Sequence, residues 1–412
     1  MEKGEIIKGI FADLHIHSRF SRACSKDITI DNLEKWARVK GLGLVGTGDF
    51  THPLWLKELK DNLTEKEGIL YSKSGFKFLL TGEISLMYTQ GRGRRIHLVV
   101  LVPNFEIADK INEYLDGKGR RDYDGRPIFK ISCEQFTKDL MEISEDIEII
   151  PAHAWTPWFG VFGSDTGFDS LKEAFGEQEK NIHAIETGMS SDPEMNWHLS
   201  ELNNRAIVSF SDSHSFWPWR MGREATIFEK ADSYKDIIHA IRENKILGTV
   251  ETSPSYGKYH YDGHSAHNFS SSPEETKKLN GICPICGKPL TIGVASRVDK
   301  ITDQIIEENR NRKRYYTLLP LHELIAFVKG STLSSKKTWE MYNRLIGKFE
   351  NEFNILLYIP KEELIKELND KADLKLVDLI MNNREGKIKV RPGYDGTYGE
   401  ITEETEKQAK LF

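Results

Sequence analysis

Seven short apolar runs recur between residues 9 and 211, and most lead into a side chain able to bind a metal. They read GIFADL (9–14), LGLVGT (42–47), KFLLTGEI (77–84), RIHLVVLV (95–102), IEIIPA (147–152), IHAIETG (182–188) and RAIVSFS (205–211). Short runs rich in Ile, Val, Leu and Phe fit strands buried on both faces. Stretches of helical spacing lie between several of them, at 30–38, 171–176 and 194–204. This alternation argues for an α/β fold built on a parallel sheet.

The residues at the strand ends narrow the reading. The first strand gives His15 and His17, whose side chains, two apart on an extended chain, point the same way. The second gives Asp49 with His52 close by, the third Glu83, the fifth His153, the sixth Glu186, and the last Asp212 and His214; the fourth carries His97 near its start. In a barrel of parallel strands, catalytic groups gather at the C-terminal rim. Asp and Glu are rarely buried and His only sometimes, so packing alone does not explain this set. Imidazole and carboxylate together suit Zn, Mn or Fe. One carboxylate, such as Glu83, is suited to bridge a pair of metals, and such clusters activate water and clamp phosphoryl oxygens. GRGRR (91–95) lacks the Lys-Ser/Thr ending of a P-loop and reads as a basic turn.

A chain of 412 residues suggests two or three domains. With 39% hydrophobic and 29% charged residues it reads as globular, and no apolar run approaches the roughly 18 residues of a membrane span. The opening residues MEKGE lack a signal-peptide layout, so a cytoplasmic protein with no membrane partner is expected. The net charge of −6 argues against nucleic acid, but bound dications offset carboxylates, and basic residues cluster at 92–95, 118–121 and 310–314. Two of the four cysteines, Cys283 and Cys286, form a C-x-x-C pair. His264 and His267 lie upstream, and the four predict one structural Zn in a Cys2His2 tetrahedron, with His260 as the reserve ligand.

The strand-end motifs DLHIHS, GTGDFTHP, GEIS, IHLVVLV, PAHAW, IETG and SFSDSH resemble, in order, those of the polymerase and histidinol phosphatase (PHP) superfamily. The resemblance implies a distorted (β/α)7 barrel with two to three divalent metals (Zn, Mn or Mg) at its rim. By it, His15, His17, Glu83 and Asp212 hold one metal and are the catalytic set; Glu83, His97 and His153 hold a second; His214 and Asp49 hold a third. Phe50 stands where the superfamily has a histidine, and Ser21, Arg22 and Ala23 occupy the stretch of a further ligand. Glu186 reads as a residue behind the ligands.

After residue 250, SPSYGKYHYDGH, CPICGKPLTIGVASRV and VRPGYDGTYGEI narrow the resemblance to the endonuclease Q family of DNA repair nucleases. The domains expected are 1–250 for the metal-dependent phosphoesterase, 251–300 for a zinc-binding module, and 301–412 for a mainly helical region ending in PGYDGTYG. Helical spacing is clearest at 321–329 and 337–357, and Pro360 opens another helix. The implied activity is hydrolysis of the phosphodiester 5′ to uracil, hypoxanthine, xanthine or an abasic site, leaving 3′-hydroxyl and 5′-phosphate. Damaged DNA is the implied partner, with a sliding clamp or other repair factors beside it, and a monomer is expected. Trp155, Trp158, Phe159, Trp217, Trp219, Arg220, Tyr394 and Tyr398 are the candidates to contact DNA or a displaced base. The alternatives are a small-molecule phosphatase on the same barrel and a nonenzymatic, helicase-associated DNA-binding module.

Overall fold

In a computed structural model, which describes residues 7–306 and 312–402, the apolar runs become strands of three neighbouring sheets. The largest holds eight strands; its middle runs Ala225–Phe228, Ile10–Asp13, Leu44–Gly46, Lys77–Leu79. A four-stranded sheet carries the long hairpin Thr81–Gln90 and Arg92–Leu101, followed by Glu148–Pro151. Ala184–Glu186 and Ala206–Val208 form a parallel pair. Residues 310 and 311 of the basic run lie outside the described residues.

The fold is mixed α/β, as expected, but its strands do not all run parallel. The described strands do not close into a single hydrogen-bonded ring. Glu148–Pro151 runs antiparallel to Arg92–Leu101, and Ala225–Phe228 antiparallel to Ile10–Asp13. An apolar run specifies burial on both faces, not direction, so antiparallel neighbours produce the same pattern. GRGRR is also more strand than turn, since the hairpin bends at Gly91 and Arg92–Arg95 already pair with Met87–Gln90.

The helices follow their end signals. Ile30–Lys40 opens on Thr29, whose side chain accepts from Asn32 N, and stops at Gly41. Leu321–Lys329 forms as expected, but the stretch 337–357 breaks: Lys336–Phe349 ends at Glu350, whose φ of 74° is left-handed, and a separate helical turn covers Asn354–Tyr358. The stretch 194–204 is likewise two short turns, Pro193–Asn196 and Ser200–Leu202. The C-terminal region does not stand apart. Its strand Arg314–Thr317 pairs with Gly248–Glu251 at the edge of the large sheet. No described helix is long and apolar enough to cross a membrane.

A buried ion pair ties the two regions. Lys40 Nζ donates to Glu352 Oε1 (2.6 Å) and to Pro218 O (2.8 Å), while Glu352 also accepts from Leu321 N and Tyr342 Oη. Both charges are buried. Lys40→Met would strand the carboxylate, and an unfolding titration is expected to lose about 3–5 kcal/mol. Replacing both partners with apolar residues should recover most of that loss.

Beside this pair, Trp217 and Trp219 stack at 5.4 Å and pack on Trp339, and Trp219 lies 4.7 Å from His322. Both ring nitrogens of His322 are buried without a hydrogen-bond partner among the described residues, and burial pushes its pKa down to about 3. The unfolded chain, with His near 6.5, binds this proton first. Stability from His322 is therefore complete above about pH 6.5 and falls as pH drops toward 3, by up to about 1.4 kcal/mol per pH unit. His322→Phe should flatten the thermal midpoint against pH across that window.

Candidate metal centre and cleft

The first strand delivers its two histidines beside the last ligand-bearing segment. Buried Asp13 accepts from Ser211 N (3.0 Å) and Gly222 N (2.8 Å), and His17 N donates to Ser213 O (2.9 Å). His15 and His17 thus lie against Asp212. Asp49, His153 and Asp212 all hold left-handed backbone, with φ of 49°, 31° and 47°. Such conformations in residues other than glycine collect at functional sites. Gly188 supports His153 from behind: a Cβ there would lie 2.7 Å from the Cβ of His153.

Glu83, from the hairpin, faces two sets of ligands. Its Oε2 lies 3.6 Å from His15 Nε2 and 3.2 Å from His17 Nε2, and Asp212 Oδ1 lies 3.5 and 3.1 Å from the same two nitrogens. Its Oε1 lies 2.7 Å from His97 Nδ1 and 3.1 Å from His153 Nε2. His15, His17, Glu83 and Asp212 form one group, and Glu83, His97 and His153 a second, each with ligand atoms within 4.8 Å of one another.

The atoms fit divalent cations. Among the described residues His15 Nε2 is buried without a hydrogen-bond partner, and it faces the two carboxylates, while its Nδ1 lies 2.9 Å from Glu186 Oε1. A carboxylate on one ring nitrogen fixes the tautomer that aims the other at a metal. Burial alone would lower the pKa of His15, but Glu186, Glu83 and Asp212 hold it well above the usual range. Burial opposes ionisation of Glu83, and the Arg126 guanidinium and His15 overcome it, holding its carboxyl well below the usual range. Asp212 is likewise held down, against burial, by His15 and His17. Both carboxylates are therefore ionised at neutral pH. Burial pushes His97 down to about 4, which leaves it a neutral lone-pair donor.

Among the described residues, neither Asp49 nor His214 joins a group of three or more ligand atoms. Asp49 accepts from His17 Nδ1 (2.9 Å), Ser18 N and Oγ (2.6 Å each) and Ser21 Oγ (2.9 Å), so its oxygens are taken up orienting His17. His214 turns its Nδ1 to Asp212 O at 3.0 Å and rests its ring 4.5 Å from that of His17. His52 stacks on Phe20.

The ligand groups border a cleft of about 560 Å³, whose walls include Arg95, Arg126, Arg223 and Lys258 with Trp158, Phe159, Tyr259 and Tyr398. Of the aromatic candidates, Trp158, Phe159 and Tyr398 line it. Lys258 Nζ lies 4.6 Å and the Arg220 guanidinium 5.9 Å from the ring of Tyr398. The others are used elsewhere. Trp155 is fully buried and donates to Asn196 Oδ1, Trp217 and Trp219 pack against the C-terminal helices, and Tyr394 bridges to Tyr261. Arg126 was not apparent from the sequence. It sits in DGRP, with no periodicity to mark it, yet its Nη1 donates to Glu83 Oε2 at 3.0 Å.

Outside this centre, His264, His267, Cys283 and Cys286 also bring ligand atoms within 4.8 Å of one another. Against the penalty of burial, backbone N–H groups of Ile285 and Cys286 hold the Cys283 thiol down at about 7, which favours the thiolate a metal needs. Gly287, at φ 70°, closes the knuckle so that its N–H reaches Cys283 O at 2.9 Å. His260 is not part of the group.

Residues 320–387 match the family model of the MJ0043 C-terminal domain. The uncharacterized protein MJ0043 of Methanocaldococcus jannaschii is 32% identical over 289 residues, covering 67% of this chain; the chain spans only 35% of that longer relative. The crystal structure of the lesion-specific endonuclease PfuEndoQ from Pyrococcus furiosus superposes with a TM-score of 0.85 and 32% identity, covering 96% of this chain and 95% of that one. A complex of endonuclease Q with a 27-mer duplex substrate carrying an abasic lesion at the active site matches equally well, with a TM-score of 0.85, 32% identity and 96% of each chain covered. Agreement of sequence and fold along nearly the full length of both proteins places this chain in the endonuclease Q family of DNA endonucleases.

Proposed function

We propose that the chain is a metal-dependent repair endonuclease that hydrolyses the phosphodiester on the 5′ side of a deaminated base or abasic site, leaving 3′-hydroxyl and 5′-phosphate. The observation that carries the reading is Glu83, which faces both ligand groups beside a cleft walled by cations and aromatic rings. His15, His17, Glu83 and Asp212 would hold one divalent metal (Zn, Mn or Mg), and Glu83, His97 and His153 a second. Metals in these positions supply an activated water and offset charge on the phosphoryl group.

The protein's own groups do the rest. Glu186 and Asp49 fix the tautomers of His15 and His17. The cationic walls attract the backbone of DNA. Trp158, Phe159 and Tyr398 offer faces on which a base drawn out of the stack can rest. Uracil, hypoxanthine and xanthine share a ring N–H beside a carbonyl. A pocket matched to that edge leaves cytosine and adenine badly paired, a strong basis for rejection. The endonuclease Q complex with an abasic duplex supports a lesion-directed reading. The test is a comparison of duplexes carrying uracil, hypoxanthine, xanthine or an abasic site with an undamaged duplex. The damaged ones should be cut and the undamaged one spared; equal cutting of all would refute the proposal.

A further inference from the structure

We infer that Arg126 and Arg223 form a two-guanidinium clamp on the non-bridging oxygens of the phosphate to be cleaved, an assignment that rests on the phosphodiesterase reading of this site. Both line the cleft, together with Asp212. Arg126 has its backbone N anchored on Asp124 Oδ1 and commits Nη1 to Glu83 Oε2, the oxygen that faces His15 and His17. Its side chain is 27% exposed. Arg223 commits Nη2 to Ser211 O at 2.9 Å, next to Asp212 in the chain, while its Nε is buried with no hydrogen-bond partner among the described residues.

The chemistry suits this placement. A guanidinium carries five N–H donors in a planar fork that matches phosphate oxygens, and it cannot lose its charge at working pH. Each arginine is tethered by part of its fork, so little freedom is lost when the remaining donors engage a ligand. Glu83, Asp212, Asp49 and Glu186 concentrate negative charge around the ligand histidines. A phosphodiester anion approaching them needs fixed positive charge at the wall. In-line displacement gathers charge on the equatorial oxygens, where donors already in place act most strongly. The arginines would then lower the barrier more than they raise ground-state affinity, so their removal should reduce kcat more than it raises KM.

The experiment uses the full chain loaded with Mn, and Arg126→Ala, Arg126→Lys, Arg223→Ala and Arg223→Lys. The probes are bis(p-nitrophenyl) phosphate, a uracil-containing duplex, and inorganic phosphate titrated by calorimetry. We expect kcat on both substrates to fall by about 10²-fold or more in the alanine variants, with partial recovery in the lysine variants. Inorganic phosphate should bind at least about tenfold more weakly in each alanine variant, while bound metal per chain stays constant. Unchanged phosphate affinity, undetectable phosphate binding to the parent chain, or metal loss that accounts for the rate would overturn the clamp. Hydrolysis of bis(p-nitrophenyl) phosphate without cutting of the uracil duplex would refute the repair reading instead, and the variants would still decide the clamp.

Discussion

Asp212→Asn is expected to cut less than about one-thousandth as fast as the parent chain, a loss of about 4 kcal/mol in barrier lowering. The substitution keeps shape and removes charge. Asp212 Oδ1 is 3.1 Å from His17 Nε2 and 3.5 Å from His15 Nε2, so an amide would replace the ionised oxygen that completes their ligand group. Its backbone φ of 47° is a conformation that Asn tolerates at least as well as Asp, so the fold should survive. The contact from His214 goes to the backbone O of residue 212, which the change leaves in place. Lesion-duplex affinity should shift less than about threefold, because neither the cationic walls nor the rings are touched. Cleavage and metal content measured on the same preparation would separate the outcomes. A full rate with parental metal content would show that Asp212 is not a ligand.

Cys283→Ser is expected to remove one zinc per chain and unfold the module around it. Structural zinc contributes on the order of 10 kcal/mol to such small units, whose own cores are slight. Among the described residues here, Ile282 and Ile285 are exposed, and buried apolar contacts at the knuckle come down to Cys283 and Leu290. The surroundings explain why the loss would spread. Arg297, on the helix Val294–Ile301, donates to Phe162 O and Phe168 O, and Ser164 Oγ donates to Ile292 O. Tyr394 packs where any side chain on Gly263 would have to go. The main sheets have their own core and should persist. Elemental analysis should show zinc falling by one, and limited proteolysis should cleave between His264 and Leu290. Unaltered zinc with a protected segment would mean that the cysteines are not ligands.

The two histidines of the first strand, Glu83, His153 and Asp212 were readable because metal-binding side chains at successive strand ends break the usual surface preference of those residues. The place of Glu186 beside His15 was readable too, and so was the grouping of His264, His267, Cys283 and Cys286, from their spacing. The features that escaped did so for physical reasons. That Ser18 and Ser21 donate to Asp49 could not be read, because hydrogen bonding of that kind leaves no periodic trace. Trp217 and Trp219 look like a stacking platform because no sequence pattern says which surface will cover them; Trp339 does. Arg126 and Arg223 lie in loops whose course is set by packing at a distance. Strand direction in the sheets was invisible for the same reason, since burial fixes composition and not polarity.

The most direct measurement is the position of the cut. A duplex with one uracil, labelled at the 5′ end of the damaged strand, would be incubated with the chain and Mn, and its product compared with synthetic markers. A single product is expected, ending at the phosphodiester 5′ to the uracil and carrying a 3′-hydroxyl, with none from the undamaged duplex and none from Asp212→Asn. A cut on the 3′ side, release of the free base without strand cleavage, or a product that Asp212→Asn also forms would contradict that expectation.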